Sequence, residues 1–157
     1  MTDREVMNQR HISDSCACSC DEETAKAWAV RLHEGQLDKA GQPYIDHPRR
    51  VAERLNAPEA RVVGWLHDTV EDTGLTLEEI AAQFGRGTAD AVDHVTRRGG
   101  ESWDDYIERV RINPLAREVK ISDLIDNSNL CRLPRVTLRD VQRQARYNRA
   151  LIRLMQP

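Results

Sequence analysis

The chain has no apolar run approaching the roughly 18 residues that span a bilayer, so a transmembrane helix is not expected. Its first residues, MTDREVMNQRHISDS, are polar and mixed in charge and lack the apolar stretch of a secretory signal; a cytoplasmic protein with no membrane partner is expected. There is no excess of basic charge. The net charge of −3 argues against a large surface for duplex nucleic acid, whose binding needs many phosphate contacts from Lys and Arg. Alternating runs of β-branched residues, internal repeats and low-complexity segments are all missing. Cysteine is scarce and badly spaced for a disulfide framework: Cys16, Cys18 and Cys20 are crowded together and Cys131 is remote. The three crowded thiols read as incidental members of a solvated tail.

What is present is helical. Residues 1–20 show no apolar period and are expected to be a flexible lead-in, with the folded domain spanning 21–157. Ala25, Trp28, Ala29 and Leu32 fall at helical spacing and predict an amphipathic helix over about Glu22 to Glu34. A loop rich in turn formers follows, GQLDKAGQPYIDHP, and then a helix through HPRRVAERL. Pro58 suits the first position of a helix over Ala60 to Val70. Thr76 with Glu79 forms a capping-box pattern, and Ser102 with Asp105 and Thr137 with Asp140 look like further helix starts. Pro114 opens a stretch to about Leu130, and a last helix runs from about Leu138 to Met155. Gly85, Gly87, Gly99 and Gly100 read as punctuation between helices. The predicted fold class is all-α.

The segment WLHDTVEDT is the most informative in the chain. It places His67, Asp68, Glu71 and Asp72 at one helix end, with Glu71 about one turn from His67 and Asp72 about one turn from Asp68. Three carboxylates this close repel one another unless a cation offsets them, and carboxylates at a helix C-terminus also oppose its dipole. A divalent metal is the simplest explanation. His47 follows the turn-rich loop, and Asp123 and Asp126 sit in VKISDLIDN among apolar neighbours that suggest a buried helix. A buried carboxylate needs a partner, which here is either a metal or Lys120. His33 and His94 read as packing or surface residues.

The runs HEGQLDKAGQPYIDHP, LHDTVEDT, FGRGTADAVDHVT and VKISDLIDN resemble, in order and spacing, the hydrolase domain of RelA/SpoT homologues and the small alarmone hydrolases. The resemblance covers roughly residues 22 to 155 and implies an HD-domain helical bundle. It further implies a divalent metal, manganese in that family, held by His47, His67, Asp68 and Asp123, with Glu71 and Asp72 orienting and activating the attacking water. Lys39, Tyr44 and Asn127 would line the site of a small-molecule nucleotide substrate, and the implied reaction removes the 3′-pyrophosphate of guanosine tetra- or pentaphosphate. Two positions depart from the family pattern. Asp38 stands where a base-stacking Arg is usual, and Asn129 replaces another Arg, so both changes remove positive charge near a polyanion. They leave open a different nucleotide or cofactor phosphate as substrate, or a metal-binding regulatory module without catalysis.

Overall fold

The computed structural model describes the backbone of residues 15–156 and side chains from residue 21. Helices α1 (Ser15–Leu32), α2 (Asp46–Glu53), α3 (Pro58–Leu66), α4 (Thr69–Thr73), α5 (Leu77–Phe84), α6 (Arg86–Val95), α7 (Trp103–Ile112), α8 (Pro114–Asn127) and α9 (Leu138–Met155) account for most of it. A 3₁₀ turn, Leu130–Arg132, lies between α8 and α9. Among the described residues the only strand-like pairing is a single bridge between Leu37 and Pro43, and no helix is long and apolar enough to cross a membrane.

Two helices form the centre. From Ala60 onward α3 buries every residue except Arg61, as expected of a helix enclosed on all sides, and it packs against α1, α2, α6 and α8. In turn α8 packs against α2, α3, α6, α7 and α9. Of the metal-ligand candidates, Asp123 lies on α8, His67 and Asp68 directly follow α3, and His47 lies on α2, which packs against both. Ala25 and Ala29 on α1 are fully buried. Gly64 serves a close crossing of α2 and α3: a Cβ built there would lie 3.0 Å from both the Cα of Ala52 and the Cδ1 of Leu55.

The local start signals hold. Pro58 and Pro114 open their helices, Thr76 with Glu79 and Thr137 with Asp140 form complete capping boxes, and the Ser102 hydroxyl accepts from the Asp105 N–H. Three expectations are corrected. The first helix begins at Ser15 rather than near Glu22, so Cys16, Cys18 and Cys20 belong to α1, although their side chains, like residues 1–14 of the expected lead-in, lie outside the described residues. The helix from Pro58 ends at Leu66 instead of Val70: the chain turns at His67 and Asp68 before the short α4. Residues 86–95 form α6, so Gly87 lies inside a helix, while Gly85, at φ +87°, and Gly99 and Gly100 lie between helices as expected.

Candidate metal centre and its cleft

The turn at the end of α3 has a chemical consequence. His67 caps that helix, its Nδ1 is 2.7 Å from the Gly64 carbonyl oxygen, and Nε2 is thereby left facing inward. From α2, His47 Nδ1 lies 2.8 Å from Asp126 Oδ2 and its Nε2 faces the same point, 3.3 Å from His67 Nε2. With Nδ1–H donated to an oxygen, each imidazole presents a bare Nε2 lone pair, the form in which histidine binds metals.

Asp123 Oδ1 lies 3.1 Å from His47 Nε2 and 3.8 Å from His67 Nε2, and one donor atom from each of the three residues falls within 4.8 Å of the others. All three are buried. Asp68 joins through one oxygen, Oδ2, 3.0 Å from His67 Nε2 and 3.5 Å from His47 Nε2, which also accepts the Tyr44 hydroxyl at 2.6 Å. Donors at right angles around an ion, each about 2.1 Å from it, are about 3 Å apart, so these separations suit a shared divalent cation. The electrostatics agree. Burial alone would push the Asp68 and Asp123 carboxyls up, but His67 beside Asp68 and Lys120 beside Asp123 hold both well below the usual carboxylate range. Burial would lower both imidazoles, yet the carboxylates draw them toward the charged form. The site is organised around positive charge at its centre.

Both partners anticipated for Asp123 are compatible, because its two oxygens divide the task. Oδ2 accepts from Lys120 Nζ at 2.7 Å while Oδ1 faces His47 and accepts from Asn127 Nδ2 at 2.5 Å. Asn127 therefore steadies a candidate ligand as well as lining the adjacent cleft.

Sequence reasoning missed the support behind His47. Asp126 is nearly inaccessible and receives Arg50 through a two-pronged contact, Nε to Oδ1 at 2.9 Å and Nη2 to Oδ2 at 3.0 Å, and Arg54 at 3.0 Å. Arg132 adds contacts to its Oδ2 at 3.1 Å and to its backbone oxygen at 2.5 Å. The visible signal was the second acid of VKISDLIDN, three residues beyond Asp123 and so on the same helix face. Carboxylates that orient metal-binding histidines tune affinity about 10- to 100-fold. Asp126→Asn should weaken metal binding by about that factor without removing it, as competition against a chelator of known affinity would measure.

Beside the cluster opens a cleft of about 370 Å³, with His47 in its wall. Lys39, Tyr44 and Asn127, the residues expected at a substrate site, all line it. So do Arg132, Arg143 and Tyr147, which were not anticipated: the last two lie one turn apart on α9, remote in sequence from every motif. Asp38 and Asn129 are also in the wall, but both are engaged locally. Asp38 Oδ1 accepts from the N–H groups of Ala40 and Gln42 at 2.8 and 2.9 Å, and Asn129 accepts from the Cys131 N–H at 3.1 Å.

Glu71 and Asp72 sit on α4 at the surface edge of the cluster. Glu71 Oε2 accepts from the Arg97 N–H at 3.3 Å. Partial burial and the negative charge of Asp68 raise the Asp72 carboxyl above its ordinary value. His33 is buried with Nδ1 2.8 Å from Gln36 Oε1, and His94 Nδ1 is 2.7 Å from the Asp90 carbonyl, which places both outside the cluster as read from sequence.

A helical bundle that gathers one histidine, an adjoining His-Asp pair and a distant Asp has the make-up of an HD domain, and the comparisons give the same class. Residues 25–102 match the family model described as HD domain. Close to half of the chain thus matches the HD-domain model, and the chain is similar to RelA/SpoT-type proteins. It is 46% identical over 77 residues to a GTP pyrophosphokinase of Myxococcus xanthus, covering 46% of this chain and 10% of that protein. It is 34% identical over 143 residues to a probable GTP pyrophosphokinase of Mycobacterium leprae, covering 82% of this chain and 17% of the relative. A guanosine-3′,5′-bis(diphosphate) 3′-pyrophosphohydrolase of Aquifex aeolicus is 36% identical over 115 residues, 66% of this chain and 16% of that protein. The chain thus spans only a small part of these relatives. A solved structure of a metazoan SpoT ortholog, described as hydrolysing ppGpp, superposes with a TM-score of 0.75 at 20% identity, covering 86% of this chain and 85% of that one, and shares the fold.

Proposed function

We propose that the chain is a metal-dependent hydrolase that removes the 3′-pyrophosphate of guanosine tetra- or pentaphosphate, a reading that carries with it a cytoplasmic location. The observation behind it is that His47 serves both places at once: it belongs to the metal-ligand cluster and to the wall of a cleft that also holds Lys39, Arg132 and Arg143 for phosphate and Tyr147 for a planar base. His47, His67, Asp68 and Asp123 would hold the ion. A mixed imidazole and carboxylate set of this kind suits Mn²⁺. When bound, such an ion supplies a water of lowered pKa and polarises a phosphoryl oxygen.

The chain's own groups do the rest. Glu71 and Asp72 orient the attacking water and take its proton, and the raised carboxyl of Asp72 is suited to holding one. The water oxygen bonds to phosphorus as the bond from that phosphorus to the ribose 3′ oxygen breaks, and the departing oxygen takes up a proton. Tyr44, donating to Asp68, keeps the carboxylate turned toward the histidines. Lys39 and Arg143 bind the polyphosphate. Incubating the Mn²⁺-loaded protein with guanosine tetraphosphate, other nucleotides and phosphorylated cofactors tests the reading; pyrophosphate released from the alarmone is the expected product, and turnover of other phosphates alone would overturn the substrate.

A second reading, an HD hydrolase for a different phosphate, is favoured by Asp38 in the cleft wall. Asp38→Asn separates the two, because the amide oxygen can still accept from Ala40 and Gln42 while the charge is lost. If the substrate is the alarmone, KM should fall several-fold with kcat little changed, an effect limited to about 1 kcal/mol by exposure. A KM for guanosine tetraphosphate that does not fall would show that Asp38 is remote from its phosphates.

A further inference from the structure

A second cavity, of about 440 Å³, lies between α9 and the start of α7. Arg146, Arg149 and Arg153 line it from α9, with Trp103, Asp104 and Ile107 among the residues opposite. The three arginines fall at intervals of three and four residues, so they form one row, and the first two lie about 4.5 Å apart along the helix axis. Among the described residues only Arg153 of the three has a carboxylate partner, Glu108. Arg146 lies instead against rings, its guanidinium 4.8 Å from the Trp103 ring centre and 5.9 Å from that of Tyr147. Neighbouring guanidinium groups without counter-ions repel one another, and a shared anion relieves that repulsion.

We propose that this cavity is a second ligand site that takes a diphosphate group. Two unpaired guanidinium groups about one turn apart match two linked phosphates, each able to accept paired N–H donors. Asp104 stands on the other wall. It would repel further phosphate but accept a hydroxyl, so the site suits a diphosphate ester of a sugar at least as well as inorganic pyrophosphate. The two cavities share a wall: Trp103 in the second is in ring contact with Tyr147 in the first, with centroids 5.8 Å apart. A ligand that draws Arg146 off Trp103 changes the packing behind Tyr147, and occupancy of the second site is thereby felt in the first.

The assignment is separable from the hydrolase reading, because it is tested by binding and not by turnover. The metal-loaded full chain is titrated calorimetrically with inorganic pyrophosphate and, separately, with GDP, alongside Arg149→Glu and the first-cleft variant Arg143→Ala. A saturable event that Arg149→Glu weakens about tenfold or more and Arg143→Ala retains is the expected result, and it should weaken with salt. Tighter binding of GDP than of pyrophosphate would identify the ester as the ligand, and the reverse the inorganic ion. If no saturable event occurs, or if every event survives Arg149→Glu in a variant whose melting temperature is unchanged, the site is refuted. Loss of all binding in Arg143→Ala would move the ligand to the first cleft and refute it equally.

Discussion

Asp123→Ala should remove the metal and destabilise the protein in one step. The carboxylate is buried and stands among His47, Lys120 and Asn127, so deleting it leaves the Lys120 ammonium, itself largely enclosed, without its ion-pair partner. Breaking a buried pair by removing one partner costs about 3 to 5 kcal/mol, which for a domain of this size lowers the melting temperature by roughly 6 to 20 °C. Elemental analysis should find no tightly held ion. Lys120→Met offers a control, since it removes the cation while sparing the ligand: stability should fall less and metal should be retained. A full equivalent of metal in Asp123→Ala would exclude this residue from the ligand set.

The second large effect is expected at Glu71, where binding and chemistry separate. Glu71 accepts from the Arg97 N–H and is not one of the clustered donor residues, so Glu71→Gln should keep both fold and metal. Loss of a group that handles the attacking water costs about 10²- to 10⁴-fold in rate. Under the proposed reaction kcat should fall by that factor with little change in KM, measured as pyrophosphate release. A kcat near that of the unaltered protein would remove Glu71 from the mechanism.

Much of the bundle was legible in the sequence because helix starts are written locally. A capping box such as Thr76 with Glu79 occupies four consecutive residues and needs no tertiary information. The candidate metal ligands were picked out for a different reason: the motifs bearing them are short, ordered and chemically unusual. What could not be read depends on distance in three dimensions. The break at His67 that turns its Nε2 inward divides a stretch that reads as one helix. The clamp on Asp126 joins Arg50 of α2 and Arg54 just beyond its end to Arg132 of the 3₁₀ turn across more than seventy residues. Arg143 and Tyr147 enter the cleft from a helix that carries no motif at all. Asp38 was legible as a departure in charge, but its use in bracing its own loop was not, because an Asp that accepts from N–H groups two and four residues on is a turn former wherever it stands.

The glycine at the crossing of α2 and α3 bears on selectivity among metals. His47 rides on one of these helices and His67 caps the other, so the bite between the two nitrogens is set by how closely two backbones meet, with no side chain at position 64 to cushion the approach. If the two histidines hold the ion as proposed, one that demands short, rigid bonds and one that tolerates longer ones would be distinguished at a residue that is not itself a ligand. Widening the crossing by a single methyl group, as in Gly64→Ala, would act on the radius of the ion accepted before it acted on whether any ion is held.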